Sequence, residues 1–176
     1  MSEIDEPTRA AAEQLLQTCR RRGLGLATCE SITGGGIGWA LTSVPGASDV
    51  FRGGLITYAS ELKARLAGVD PAFIAEHGVI NERTAREMAN GAARACGADV
   101  AISATGTAGP LGQDGTAPGT VWIGIRTPDG TAAHRLLAGG GRAQIRRAAI
   151  RRALQLAAGT LQLCGPTRPP ESRDVR

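Results

Sequence analysis

The run GLGLATCESITGGGIGWALTSV, residues 23–44, narrows the folds open to this chain more than any other stretch. GLGLATC, residues 23–29, is short, apolar and bounded by glycine, which reads as a buried strand. It ends in ESITGGG, where a glycine run opens a helix. Strand, glycine-rich loop and helix together are the opening of an α/β unit.

The remaining chain extends that pattern. Ala11, Leu15, Leu16 and Cys19 recur at helical spacing over residues 7–22, with Pro7 in the first turn and Gly23 at the stop. VFRGGLITY, residues 50–58, reads as a second strand, and Ser60 is a candidate cap for the helix after it. Residues 71–77 predict a short helix, and Asn81 caps a longer one that ends near Cys96, before Gly97. ADVAISAT, residues 98–105, is continuously apolar, as strands buried on both faces are. It runs into GTAGPLGQDGTAPG, a fourteen-residue loop too long for a simple connector. GTVWIGIRT and TAAHRLLAG flank PDG as an antiparallel hairpin, and a helix from about Arg142 to Leu163 closes the fold. The expectation is a single-domain three-layer α/β/α sandwich around a mixed sheet over residues 1–164. The polar, Pro-rich GPTRPPESRDVR, residues 165–176, is expected to be a disordered tail.

Composition excludes several functions. Aromatics are only 3% of the 176 residues, so Trp39 and Trp122 are isolated fillers in an aliphatic core and no base-stacking platform is available. No apolar run approaches the ~18 residues of a membrane span, and MSEIDEPTRA is acidic, unlike an export signal, so a cytoplasmic protein with no membrane partner is expected. Cys19, Cys29, Cys96 and Cys164 are far apart, and His77 and His134 stand alone. That pattern supports neither a disulfide framework nor a metal site. The net charge of +4 comes from arginines grouped at Arg20–Arg22, in GRAQIRRAAIRRAL and in the tail, which read as solvated helix ends and faces.

The basic residues number twenty, and nineteen are arginine; the one lysine, Lys63, follows the one tyrosine, Tyr58, by five residues. Arginine keeps its proton at any working pH, whereas a desolvated lysine can lose it and act as a general base. A coding bias that replaced all lysines but one is the competing account. For a partner hydroxyl, Ser60 forms S-x-x-K with Lys63 but sits where a helix wants a cap. Ser48, in the PGAS turn before a strand, is the better placed nucleophile, although a turn serine is an ordinary structural residue as well. The two glycine loops supply donors: Ser31, Thr33, Gly34 and Gly35 at a helix start suit an anion such as phosphate. Thr105, Gly106 and Thr107 lie beyond the carboxyl end of a strand, where ligands of α/β sheets gather. Close packing would equally account for those glycines.

Taken in order, ESITGGG, PGASDVFRGGLITYASELKARLAGV, ATGTAGP and GTVWIGI resemble the CinA C-terminal domain family, the nicotinamide-nucleotide amidases, over roughly residues 8–160. The resemblance implies hydrolysis of the carboxamide of nicotinamide mononucleotide to nicotinic acid mononucleotide and ammonia, without metal or cofactor. It implies a serine–lysine pair with an assisting tyrosine, roles that fall on Ser48, Lys63 and Tyr58. It implies substrate contacts at Thr105 and at an arginine of the last helix, either Arg142 or Arg146, and a homodimer. Two motifs depart from the common pattern: Ile32 stands in what is commonly ESCTGG, and Thr105 and Thr107 vary what is commonly SGIAGP. Many members also carry an N-terminal molybdopterin-binding-like domain with no counterpart in this chain, so a stand-alone amidase is expected. The rivals are a non-catalytic nucleotide-binding or regulatory module tied to competence and DNA damage, and an arginine-based nucleic-acid binder.

Overall fold

The computed structural model describes residues 4–163; the expected tail over 165–176 and Cys164 lie outside the described residues. Helix α1 (Glu6–Arg22) begins at Asp5, whose carboxylate accepts from Thr8 N, and ends at Gly23, in the left-handed region at φ 64°. That cap draws Leu24 N onto Cys19 O, so the following strand starts later than its apolar run: β1 is Leu26–Glu30. The same device operates before β3 (Val100–Gly106), where Gly97 closes helix α5 (Glu82–Cys96) and Ala98 N bonds Ala93 O. Asn81 caps α5 through Thr84 N, as its sequence indicates.

Between β1 and β3 lie α2 (Gly36–Thr42), a single 3-10 turn (Ala47–Asp49), β2 (Phe51–Ile56), α3 (Ser60–Ala67) and α4 (Pro71–His77). Ser60 is the first residue of α3 rather than its cap, because Ala59 takes the extended cap conformation. The hairpin β4 (Thr120–Thr127) and β5 (Gly130–Leu137) follows, then α6 (Arg142–Leu163).

The strand order is β2-β1-β3-β4-β5, with β2, β1 and β3 parallel and β4 and β5 joined antiparallel. The mixed sheet separates two cores. Leu26, Val100, Ile102, Ile123 and Ile125 pack with α1, α2 and α6. On the other face Ala27, Cys29 and Ala101 meet Met88, Ala89 and Ala92 of α5. Strand residues alternate between the faces as the two-residue repeat requires. The second face carries small residues because α5 lies close to the sheet; Gly124 sits against the Ala85 carbonyl, where a Cβ would collide. The three-layer α/β/α expectation describes this architecture.

Register then places the site. Glu30 is level with Ile56 of β2 and Ala104 of β3, so three loops leave one edge together. The chain turns from β2 back across β1 to β3, which is the reversal of strand order beside which ligand crevices form.

A candidate active site at the carboxyl ends of the parallel strands

Backbone bonds continue past the strands and fix the first residue of two loops. Ser31 N donates to Ala104 O at 2.9 Å, and Thr57 N donates to Glu30 O at 2.8 Å. Lys63, one turn into α3, reaches back between them and is only 1% exposed. Its Nζ lies 2.8 Å from Thr57 O, 3.5 Å from Tyr58 O and 3.0 Å from Ser31 Oγ. An amine has three positions besides its carbon. Two here face carbonyls, which only accept, so both must carry protons; the third faces the Ser31 hydroxyl. When Nζ is charged it donates to Oγ there. When Nζ is neutral its lone pair occupies that position and the serine O–H donates to it, the geometry of a base on its alcohol.

Burial favours the neutral form. Removal from water pulls the Lys63 pKa below the ordinary lysine range, and the nearby acidic groups of Cys29, Glu61 and Asp114 offset that only in part. Cys29 lies under the site with Sγ 3.5 Å from Thr57 Oγ1, and burial pushes its thiol up to about 11, so it stays protonated.

Glu30, the first residue of ESITGGG and given no role in the sequence analysis, shapes the loop that bears Ser31. It is fully buried, and its two carboxylate oxygens accept from Ile37 N at 2.9 Å and Gly38 N at 2.8 Å, the free donors at the start of α2. Its signal was available: an acid closing an apolar strand shortly before a helix begins. This occupancy corrects the expected phosphate site on the glycine run, since an internal carboxylate already holds that helix start. Gly34 and Gly35 take left-handed backbone conformations, at φ 56° and 91°. They line a separate, larger groove of about 550 Å³ with Trp39, Arg147 and Ile150. Asp5, the carboxylate of that groove, is spent on Thr8, whose hydrogen bond holds its pKa below the usual carboxylate range. Thr33 is buried with its hydroxyl unpartnered among the described residues.

Lys63 opens instead into a cavity of about 180 Å³ lined by Ser31, Ile32, Tyr58, Thr105, Thr107 and Arg142, among others. The two arginines that the sequence left unresolved divide the work. Arg146 is committed, donating to Ile32 O at 3.1 Å and Thr33 O at 2.8 Å, and so buckles α6 to the serine loop. Arg142 lies by Gly109 at the cavity rim, exposed and without a hydrogen bond or ion pair among the described residues. Thr105 is buried and gives its hydroxyl to Val79 O at 2.8 Å, which makes it part of the wall. Gly106 is present for close packing, because a Cβ there would meet Thr120 O.

Two expected roles change. Ser48 does not meet Lys63: it is exposed, in the 3-10 turn at the amino end of β2, with the strand's roughly 17 Å between it and Thr57. The PGAS turn precedes a parallel strand, so it emerges at the edge opposite the cavity. Tyr58 touches Nζ through its carbonyl alone, while the residue is 65% exposed at the cavity mouth. Ser60 lines a different depression, with Glu76, His77 and Asp114. No group of three or more His, Cys, Asp or Glu side chains able to hold a metal occurs among the described residues. None of the described helices is long and apolar enough to cross a membrane.

Comparison with known proteins matches the chain over residues 8–161 to a family model, the CinA C-terminal domain. A CinA-like protein of Frankia casuarinae is 44% identical over 136 residues, covering 77% of this chain and 31% of that protein. A CinA-like protein of Synechocystis is 45% identical over 139 residues, covering 78% and 33%. The chain thus spans about a third of the length of these relatives. Among solved structures, the competence/damage inducible protein CihA of Agrobacterium tumefaciens superposes with a TM-score of 0.85 at 33% identity, covering 92% of this chain and 99% of that one. The competence damage-inducible protein A of Klebsiella pneumoniae gives 0.85 at 30% identity, covering 89% and 98%.

Proposed function

The chain belongs to the CinA C-terminal domain family, and from that premise we propose that it is a nicotinamide-nucleotide amidase using Ser31, with Lys63 as its base. The observation that carries this reading is the buried amine 3.0 Å from a serine hydroxyl inside a cavity. Neutral Lys63 takes the Ser31 proton as Oγ attacks the carboxamide carbon. The oxyanion needs a donor beside the nucleophile. The Ile32 N–H, immediately after Ser31, has no partner among the described residues, and Ile32 lines the cavity, so this N–H takes the donor role that follows a nucleophilic serine. As the tetrahedral species collapses, Lys63 returns its proton to the departing nitrogen and ammonia leaves. Water then gives a proton to the same amine and attacks the ester, releasing the acid and restoring the Ser31 hydroxyl.

The cavity is smaller than the ~300–1,000 Å³ of whole-ligand sites, so it takes the pyridine carboxamide and leaves the ribose phosphate at the mouth. There the Tyr58 ring offers a stacking face and Arg142 an uncommitted cation for the phosphate. The direct test is ammonia release by the purified chain from nicotinamide mononucleotide, free nicotinamide and the dinucleotide in parallel. Preferential release from the mononucleotide is expected. Binding of the mononucleotide with no ammonia formed would replace this reading with that of a regulatory binding module.

A further inference from the structure

The polar side chains that line the Lys63 cavity differ in how far they are already spent. Ser31 and Lys63 hold each other, and Thr105 is bonded to Val79 O. Tyr58, Gln113 and Arg142 are exposed. Thr107 is different from all of them. It is 5% exposed, it lines the cavity, and its hydroxyl makes no hydrogen bond among the described residues. Its main chain is bonded on both sides, Thr107 N to Thr120 O at 3.1 Å and Gly119 N to Thr107 O at 2.8 Å. A β-branched side chain on a fixed backbone has little rotamer freedom. Unlike the sealed hydroxyls of Thr33 and Thr84, the Thr107 hydroxyl is open to solvent in the cavity, so a ligand donor there takes the place of water.

We propose that Thr107 is a specificity-determining residue of this chain, its hydroxyl oxygen accepting a hydrogen bond from the –NH₂ of a carboxamide whose oxygen faces the Ile32 N–H. The inference rests on the amidase reading of the same cavity. It adds that the amide nitrogen, the atom that leaves, is oriented by a side chain from the loop after β3. Thr107→Val removes the oxygen and keeps the shape; Thr107→Ser keeps the oxygen.

The test measures kcat/KM for ammonia release from nicotinamide mononucleotide in the wild type, Thr107→Val and Thr107→Ser. It also measures the Kd of the mononucleotide for Ser31→Ala alone and for Ser31→Ala combined with Thr107→Val, where no turnover intervenes, and the Tm of each protein. Thr107→Val is expected to lower kcat/KM and weaken Kd by roughly tenfold, the loss of one fixed hydrogen bond, with Tm unchanged. Thr107→Ser is expected to stay within about threefold of wild type. An undiminished kcat/KM in Thr107→Val, together with equal Kd values in the two Ser31→Ala proteins, would overturn the proposal. If the wild type forms no ammonia, the amidase reading fails by itself; the Kd comparison then decides Thr107, with equal affinities or no binding in either protein counting against it.

Discussion

Ser31 and Ser48 stand at opposite ends of the same parallel strand pair, each in a glycine-containing turn, and the contrast between them is in what the fold brings to each. To Ser31 the chain brings Lys63 from α3, Arg146 from α6 by way of the neighbouring carbonyls, and a backbone bond to Ala104. To the turn of Ser48 it brings Arg20 from α1, which donates to Gly46 O at 2.8 Å and pairs with Asp49 at 3.2 Å. Both turns are therefore held, but only at the first does a buried lysine meet the serine hydroxyl inside a cavity. The loops that leave the carboxyl edge of a parallel sheet stand side by side where the strand order reverses, so convergent groups accumulate there. The largest effect follows: Ser31→Ala should lower ammonia release by at least ~10³-fold, while Ser48→Ala should leave it within about twofold. Steady-state kinetics on the two purified variants would reverse the assignment if the losses were exchanged.

The next effect belongs to the amine. Lys63→Arg keeps a cation that cannot give up its proton and is too broad for the position, so a loss of ~10²–10⁴-fold in kcat is expected. In the wild type, kcat/KM should rise with pH through the Lys63 pKa, which lies below the ordinary ~10.4 of a lysine, and then level off. Stability moves in the same direction. Between the lowered folded value and the unfolded value the unfolded chain holds a proton that the native state lacks, so unfolding free energy climbs with pH across that window. Below the folded pKa the whole cost of burying the charge is present. Relative to Lys63→Met, wild type should gain stability steadily as pH rises toward ~10.4. Denaturant titrations at several pH values, compared for slope, would show a flat difference if Lys63 were unperturbed.

How much of this could be read from the sequence differs between the same two edges. Helix stops at Gly23 and Gly97, the cap at Asn81 and the hairpin at PDG are local signals, and the element order follows from them. The importance of Lys63 was legible from its uniqueness. Its partner was not: the turn position and the family resemblance pointed to Ser48, S-x-x-K offered Ser60, and Ser31, thirty-two residues away, was read as a donor to an anion. That long contact depends on β1 lying beside β2 and on α3 folding back over their common edge, which no local pattern records. Glu30 was missed for a related reason: a buried carboxylate is costly until a helix start supplies its donors, and the glycine run was read as inviting an outside anion instead.

Glu30→Gln is expected to be a smaller perturbation than either dyad change. The amide can still accept from one of Ile37 N and Gly38 N, but it turns an –NH₂ toward the other, so one charge-assisted bond becomes a donor facing a donor. Loss of such a bond costs about 2 kcal/mol, a Tm drop of roughly 4–8 °C for a chain of this size. The serine loop should loosen with it, reducing kcat more than it raises KM. A variant with wild-type Tm would show that α2 does not depend on this carboxylate.

The smallest effect tests the opposite edge. Arg20→Ala removes the bond to Gly46 O and the ion pair with Asp49, in which the two side chains are 45% and 60% exposed. Exposed pairs contribute little, so the expected loss is below ~1 kcal/mol. Turnover should be unchanged, because everything Arg20 holds lies at the amino end of β2, a strand's length from Lys63. If ammonia release instead fell with Arg20→Ala while Tm held, the Ser48 turn would have to communicate with the cavity through β2. The separation of a structural edge from a chemical one would then fail at the point where it is easiest to measure.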